Sequence, residues 1–261
     1  MCRLFGLYAN VPVNVAFSFY EAGTSMSELS RRNPDGWGVA WFDGREWHLE
    51  KEPWALYESE KAREVARSVR GLIIISHVRR ATHGEARYEN THPWIYRGFV
   101  FAHNGYLDRE RLLRLVRVEY RDFEGETDSE VLFHLIVQEA LEAGGFVEGV
   151  KRVVEKIKRE GVHYSSLNFL ASDGVKLYVL RYANYNLDYY TLYYLERPEE
   201  GLHLERLSQE TTQLIRAKLT REERAILVAS EPLTEERWSR IPNRHMLVID
   251  RSLKMKLIEI P

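Results

Sequence analysis

The chain has 261 residues, one cysteine, 37 Lys plus Arg against 39 Asp plus Glu, and a formal net charge of −2. That balance gives no electrostatic footprint for nucleic acid or an anionic membrane surface, and a lone thiol excludes an intrachain disulfide and a cysteine-built metal site. With 44% hydrophobic residues, no apolar run of membrane-spanning length and no signal-peptide pattern before Cys2, the expectation is a cytoplasmic globular protein without nucleic-acid or membrane partners.

In chain order, residues 3–8 read as a strand, and the stripe Val15, Phe19, Ala22, Met26 predicts a helix over 13–31. "NPDGWG" is turn chemistry, and the following segment reads as a hairpin about Asp43-Gly44. Residues 57–70 form a charged amphipathic helix, "GLIIISHV" a buried strand, 79–98 an irregular segment, and "GFVFAHNG" a strand ending in a turn. Helices follow at 108–117, from Thr127 or Asp128 as N-cap, and at 146–160. The last third reads as strands: "SLNFLASDG", "KLYVLRYA", "YYTLYYLE", "AILVAS", "HMLVID" and "KMKLIEI". With no linker and no repeat, residues 1–261 are expected to form one domain, mainly antiparallel sheets with helices on their outer faces.

Four places concentrate chemistry. Cys2 would carry a thiol and a free α-amine once Met1 is removed, placing a base of pKa about 7.7–8.0 beside a nucleophile. The segment 76–94 holds His77, Arg79, Arg80, Thr82, His83 and His92. Arginines at a strand end suit a bidentate grip on a carboxylate, although for any one of them a solvated loop is the commoner outcome. "AHNG" offers the Asn104 amide beside the Gly105 N–H, two donors for an oxyanion or simply a tight turn. Asp128 caps a helix or binds an ammonium. Four histidines, His77, His83, His92 and His103, raise a metal site. None falls at the i, i+4 spacing of a helical zinc pair and no cysteine assists, so no metal is expected. His134, among apolar neighbours, reads as a packed core histidine, and the Tyr-rich run 182–194 as strand packing.

Taken together, the "MC" start, "NPDGWG", "RRATHG", "NTHPW", "AHNG" and "TDSE" resemble, in order and rough spacing, the class II glutamine amidotransferases, with "LNFLASDG" and "VASEPL" similar to their stand-alone branch. The resemblance implies the N-terminal-nucleophile hydrolase fold, an α+β four-layer αββα sandwich. It implies Cys2 as nucleophile with its own amine as base, Asn104 and Gly105 as oxyanion hole, Arg79 on the substrate α-carboxylate and Asp128 on the α-ammonium. Thr82, His83 and His92 fall in the glutamine loop. Arg80 stands where the large synthase-type members carry Trp, and either arginine could grip the carboxylate. The implied reaction hydrolyses the γ-amide of glutamine to glutamate and ammonia through a γ-glutamyl thioester, without a cofactor. A separate synthetase subunit could accept the ammonia, and an oligomer is compatible with this reading. The alternatives are a hydrolase of other γ-glutamyl amides or peptides and a non-catalytic binding module on the same fold.

Overall fold

In β1 (Arg3–Val13), alternate side chains go to two different cores. Leu4 and Tyr8 pack between two sheets, whereas Phe5, Leu7, Ala9 and Val13 pack beneath helices on the sheet's other face. β4 (Gly71–Val78) does the same: Ile73 and Ile75 face the second sheet and Ile74 and Val78 face the helices. A strand buried on both faces needs an unbroken apolar run, which is why "LIII" lacks polar alternation. The computed structural model describes residues 2–198, 207–220 and 222–261.

The first sheet also holds β2 (Trp37–Phe42), β3 (Trp47–Glu52), β9 (Tyr193–Arg197), β10 (Ala225–Ala229) and β11 (Ser239–Arg240), in the order β11-β9-β10-β1-β4-β2-β3. The second comprises β5 (Trp94–Tyr96), β6 (Phe99–Asn104), β7 (Asn168–Ser172), β8 (Leu177–Arg181), β12 (His245–Ile249) and β13 (Met255–Glu259), in the order β13-β12-β8-β7-β6-β5. Neighbouring strands are antiparallel. The two Asp-Gly signals mark real hairpins, with Gly44 and Gly174 at φ of 103° and 81°, where a side chain would be strained.

α4 (Asp128–Ala143) and α5 (Phe146–Arg159) cover the outer face of the second sheet. Phe133, Val137, Val150 and Val154 share a core there with Phe101, Phe169 and Tyr178. Thr127 caps α4 by accepting from the Glu130 N–H, and Gly144 ends it in the left-handed conformation. α1 (Met26–Ser30) and α2 (Glu60–Ser68) cover the first sheet through Met26, Leu29, Ala62 and Val65. The result is the expected αββα layering.

Several expected boundaries shift. The helix expected over 13–31 is broken: β1 continues to Val13, Phe17–Glu21 form a short wide turn of helix, and α1 starts only after Ser25, whose side chain accepts from the Glu28 N–H. Gly23 separates the two pieces, so one apolar stripe served two short elements. α3 (Arg109–Leu113) is shorter than expected. α6 (Gln209–Thr220) has no counterpart in the sequence reading, because its four apolar residues stand among a majority of polar ones, three of them the β-branched Thr. In the Tyr-rich run only Tyr193–Arg197 is strand, and residues 184–190 form a loop.

β2 lies tightly beneath the turn that leads into β5. A Cβ on Gly38 would sit 2.2 Å from the His92 carbonyl oxygen and 2.8 Å from Lys51 Cβ. Because the obstacle is backbone, Gly38→Ala is expected to cost about 3 kcal/mol, read as a lower denaturant midpoint with an unchanged slope. A midpoint equal to wild type would show that this turn yields.

Candidate active site

The β1–β4 register pairs Arg3 with Val78, so Cys2 emerges opposite the residues that follow β4. Its Sγ lies 3.4 Å from the Arg80 N–H, which donates to it, and 3.5 Å from the Arg80 carbonyl, to which the thiol can donate. From the second sheet, β6 ends at Asn104, with Gly105 beyond it. α4 presents its N-terminus from the layer behind. These three strand and helix ends enclose a small pocket lined by Cys2, Arg79, Arg80, Thr82, His83, His92, His103, Gly105, Thr127, Asp128 and Ser129. Residues up to 127 positions apart in sequence, Cys2 and Ser129, thus meet at one point. Of the sequence-predicted set only Asn104 stands outside the lining. It is buried at the end of β6 with its Oδ1 unpaired by any protein donor.

Arg79 and Arg80 separate clearly. Arg80 is exposed, whereas the Arg79 guanidinium is buried and donates to the carbonyls of His83 (2.7 Å), Gly84 (3.1 Å) and Glu85 (3.0 Å). Arg79 therefore folds the loop that follows it as well as lining the pocket. Asp35 fastens the start of that loop, its Oδ2 accepting from the Ala81 N–H at 2.8 Å. Asn90 fastens the far end, donating to the Glu85 carbonyl and accepting from the Glu126 N–H. Thr82 and His83 are exposed on the loop, and the His83 ring stacks 5.1 Å from Tyr106.

The Asp128 carboxylate is buried and partly engaged: Oδ2 accepts from the Leu107 N–H at 2.6 Å and Oδ1 from the Ser129 N–H at 2.9 Å. Beside it, His103 Nε2 lies 3.0 Å from the Ser166 carbonyl, which only accepts, so Nε2 carries the proton. Nδ1 then accepts from the Ser129 hydroxyl at 2.9 Å. One residue on, a Cβ at Gly105 would fall 2.0 Å from that same Ser166 carbonyl, so a side chain there has no room.

Beneath the pocket lie His77 and His92, fully or almost fully buried, with ring centroids 4.0 Å apart and His92 edge-on to Trp94 at 4.1 Å. Burial, reinforced by nearby Arg79 and His103 and for His92 by His77, holds both well below the ordinary imidazole range, so both are neutral. His92 is thus part of the floor, not of the loop surface. The Cys2 thiol is pushed up, chiefly by burial, against the lowering effect of the Arg80 N–H and the Arg79 charge. A thiol so placed is protonated near neutral pH and needs a base to become a nucleophile.

Sequence reasoning passed over Asp35, read only as turn chemistry, and Ser129, hidden inside "TDSE". It also gave Arg3 no role in the site, and it read the Tyr-rich run chiefly as strand packing; the approach of Arg3 and Tyr189 to Cys2 depends on segments far apart in sequence. Among the described residues, metal-type ligand atoms converge only at Asp43, Glu46 and His48 on the β2–β3 hairpin, where none of the predicted site residues lies.

Comparison with known proteins gives a consistent picture. The family model described as "Glutamine amidotransferases class-II" matches residues 1–259. The chain is 30% identical over 256 residues to the Escherichia coli protein named "Putative glutamine amidotransferase YafJ", covering 92% of this chain and 94% of that one. It is 32% identical over 162 residues to the amidophosphoribosyltransferase of Methanocaldococcus jannaschii, covering 60% of this chain and 34% of the relative. Among solved structures, a glutamine aminotransferase class-II domain protein from Silicibacter pomeroyi superposes with a TM-score of 0.65 at 22% identity over the whole of both chains. The glutamine phosphoribosylpyrophosphate amidotransferase of Bacillus subtilis does so with a TM-score of 0.65 at 21% identity, over all of this chain and 49% of that one.

Proposed function

The chain belongs to the class II glutamine amidotransferases, and from that premise we propose that it hydrolyses the γ-amide of glutamine through a thioester on Cys2. The observation that supports this most is the pocket itself, which gathers a thiol, a guanidinium, a carboxylate and the Gly105 backbone. Residues 1–261 act as one unit in this reading.

Removal of Met1, which lies outside the described residues, frees the Cys2 α-amine. The amine takes the thiol proton, directly or through a water, and sulfur attacks the γ-carbonyl carbon. The oxyanion is held by the Gly105 N–H and the Asn104 amide. As the C–N bond breaks, the amine returns the proton to departing ammonia and leaves a γ-glutamyl thioester. Water, deprotonated by the same amine, then releases glutamate and the thiol. Arg79 holds the α-carboxylate and Asp128 the α-ammonium; Thr82 and His83 close over the substrate from the loop. No step calls on a metal or redox group. Ammonia released here would serve a separate synthetase subunit.

Purified protein given glutamine should release glutamate and ammonia in equal amounts, and none at all would defeat the reading. Asp128→Asn and Arg79→Ala should each lower kcat/KM by about 30-fold to several thousand-fold, the range for unpairing a desolvated charge at roughly 2–5 kcal/mol. Arg80→Ala, at an exposed position, should cost far less. The opposite ranking of the two arginines would move the carboxylate clamp to Arg80.

A further inference from the structure

The pocket accounts for the glutamyl half of a substrate, and the other approach to Cys2 is built from different residues. Arg3 donates from Nη1 to the Cys2 carbonyl at 3.1 Å and from Nε to the Glu231 carboxylate at 2.6 Å. Its guanidinium lies 5.1 Å from the Tyr189 ring centroid and 3.5 Å from the Tyr189 hydroxyl. Neither Arg3 nor Tyr189 lines the glutamyl pocket. Tyr189 belongs to the loop 184–190, which shows solvent three large side chains: Tyr185 (42% exposed), Leu187 (46%) and Tyr189 (39%).

This loop is rigidly held. The buried Arg181 guanidinium donates to three carbonyls, those of Leu187 (2.7 Å), Tyr190 (3.0 Å) and Ile241 (2.7 Å). From the surface side, Arg240 donates to the Leu187 carbonyl at 2.7 Å and the Asp188 carboxylate at 2.9 Å. The Tyr190 hydroxyl and the Tyr106 N–H both bond the Ser165 hydroxyl, tying the loop to the strand end that carries Gly105. Burying a guanidinium to fix a loop whose tip exposes apolar side chains makes little sense for folding alone, because those side chains gain nothing from it. It makes sense for a surface that must meet a ligand in a set geometry.

We propose that Arg3 and Tyr189 form a leaving-group platform, and that the enzyme accepts γ-glutamyl amides whose amine portion carries a flat or apolar body. The inference rests on the assignment of Cys2 as nucleophile. With Arg3 neutralised by Glu231, the platform offers ring faces and not a net charge, so it favours aryl or aliphatic amines over charged ones.

The test compares kcat/KM for L-glutamine and for γ-glutamyl-p-nitroanilide, with labelling of Cys2 by a γ-glutamyl diazo-ketone analogue in every sample. The wild-type protein should cleave the anilide, and Tyr189→Ala should lower the anilide-to-glutamine ratio of kcat/KM about tenfold, the scale of one lost ring contact. Tyr189→Phe, which keeps the ring, should restore the ratio. A ratio unchanged in Tyr189→Ala, an equal loss on both substrates, or a wild-type protein that cleaves glutamine alone would each overturn the platform. Labelled Cys2 with no turnover of either substrate would overturn the platform while leaving the thiol reactive. No labelling at all would take the Cys2 assignment down with it.

Discussion

Cys2→Ala is expected to abolish γ-amide hydrolysis, with kcat/KM falling by at least about 10⁴-fold, the scale on which losing a covalent nucleophile acts. The fold should survive. Cys2 as a residue keeps part of its surface exposed although its sulfur is enclosed, the sulfur's hydrogen bonds are long at 3.4 and 3.5 Å, and the deletion removes one atom, so the change in stability should stay within about 1 kcal/mol. The contrast between activity and stability carries the test, since a merely structural Cys2 would move both or neither. Intact-mass measurement on the same wild-type sample adds a second condition. The active species should lack Met1, because only then does a base stand beside a thiol that burial keeps protonated. Full activity in a protein that retains Met1 would require another base, and the pocket's only imidazole with a solvent path, His83, would then have to be examined.

The second large effect is on acid stability. His77 and His92 have folded-state pKa values well below the ordinary 6.5 because burial disfavours their charged forms. Above pH 6.5 neither folded nor unfolded chain protonates them and they contribute nothing to the pH dependence. Below pH 6.5 the unfolded chain binds protons that the folded chain refuses, so stability falls as pH falls. Each histidine costs up to about 1.4 kcal/mol per pH unit between pH 6.5 and its own lowered folded-state pKa, and the two losses add as the pH falls. Against a total of roughly 5–15 kcal/mol that is a large share. Urea titrations at pH 7.5 and pH 5 should show the loss, and His92→Asn, which cannot titrate, should lessen it whatever its effect on stability at neutral pH, the remainder coming from His77, His103 and His134, which burial also holds below the ordinary range. A His92→Asn protein with the wild-type pH dependence would show that the floor histidines are not the acid-sensitive groups.

What could be read in the sequence is what acts locally. Strands buried on both faces leave apolar runs such as "LIII", Asp-Gly pairs mark Gly44 and Gly174, and Thr127 announces α4 because its hydroxyl accepts from the Glu130 N–H only three residues on. A short ordered set of motifs likewise sufficed to point at Cys2, Arg79, Gly105 and Asp128, since strand ends and helix starts are where such motifs lie. Other features depended on partners distant in the chain. Whether Arg79 or Arg80 turns inward follows from the β1–β4 register and from three loop carbonyls that exist only once the loop has closed. That His92 lies under the pocket, and not on its rim, depends on β2 packing beneath the turn before β5. The tyrosines of 185–190 looked like strand because aromatic residues favour strands. Arg181 overrides that preference by claiming the loop's carbonyls from β8, and with Arg240 and Ser165 it holds Tyr189 at Arg3 beside the thiol.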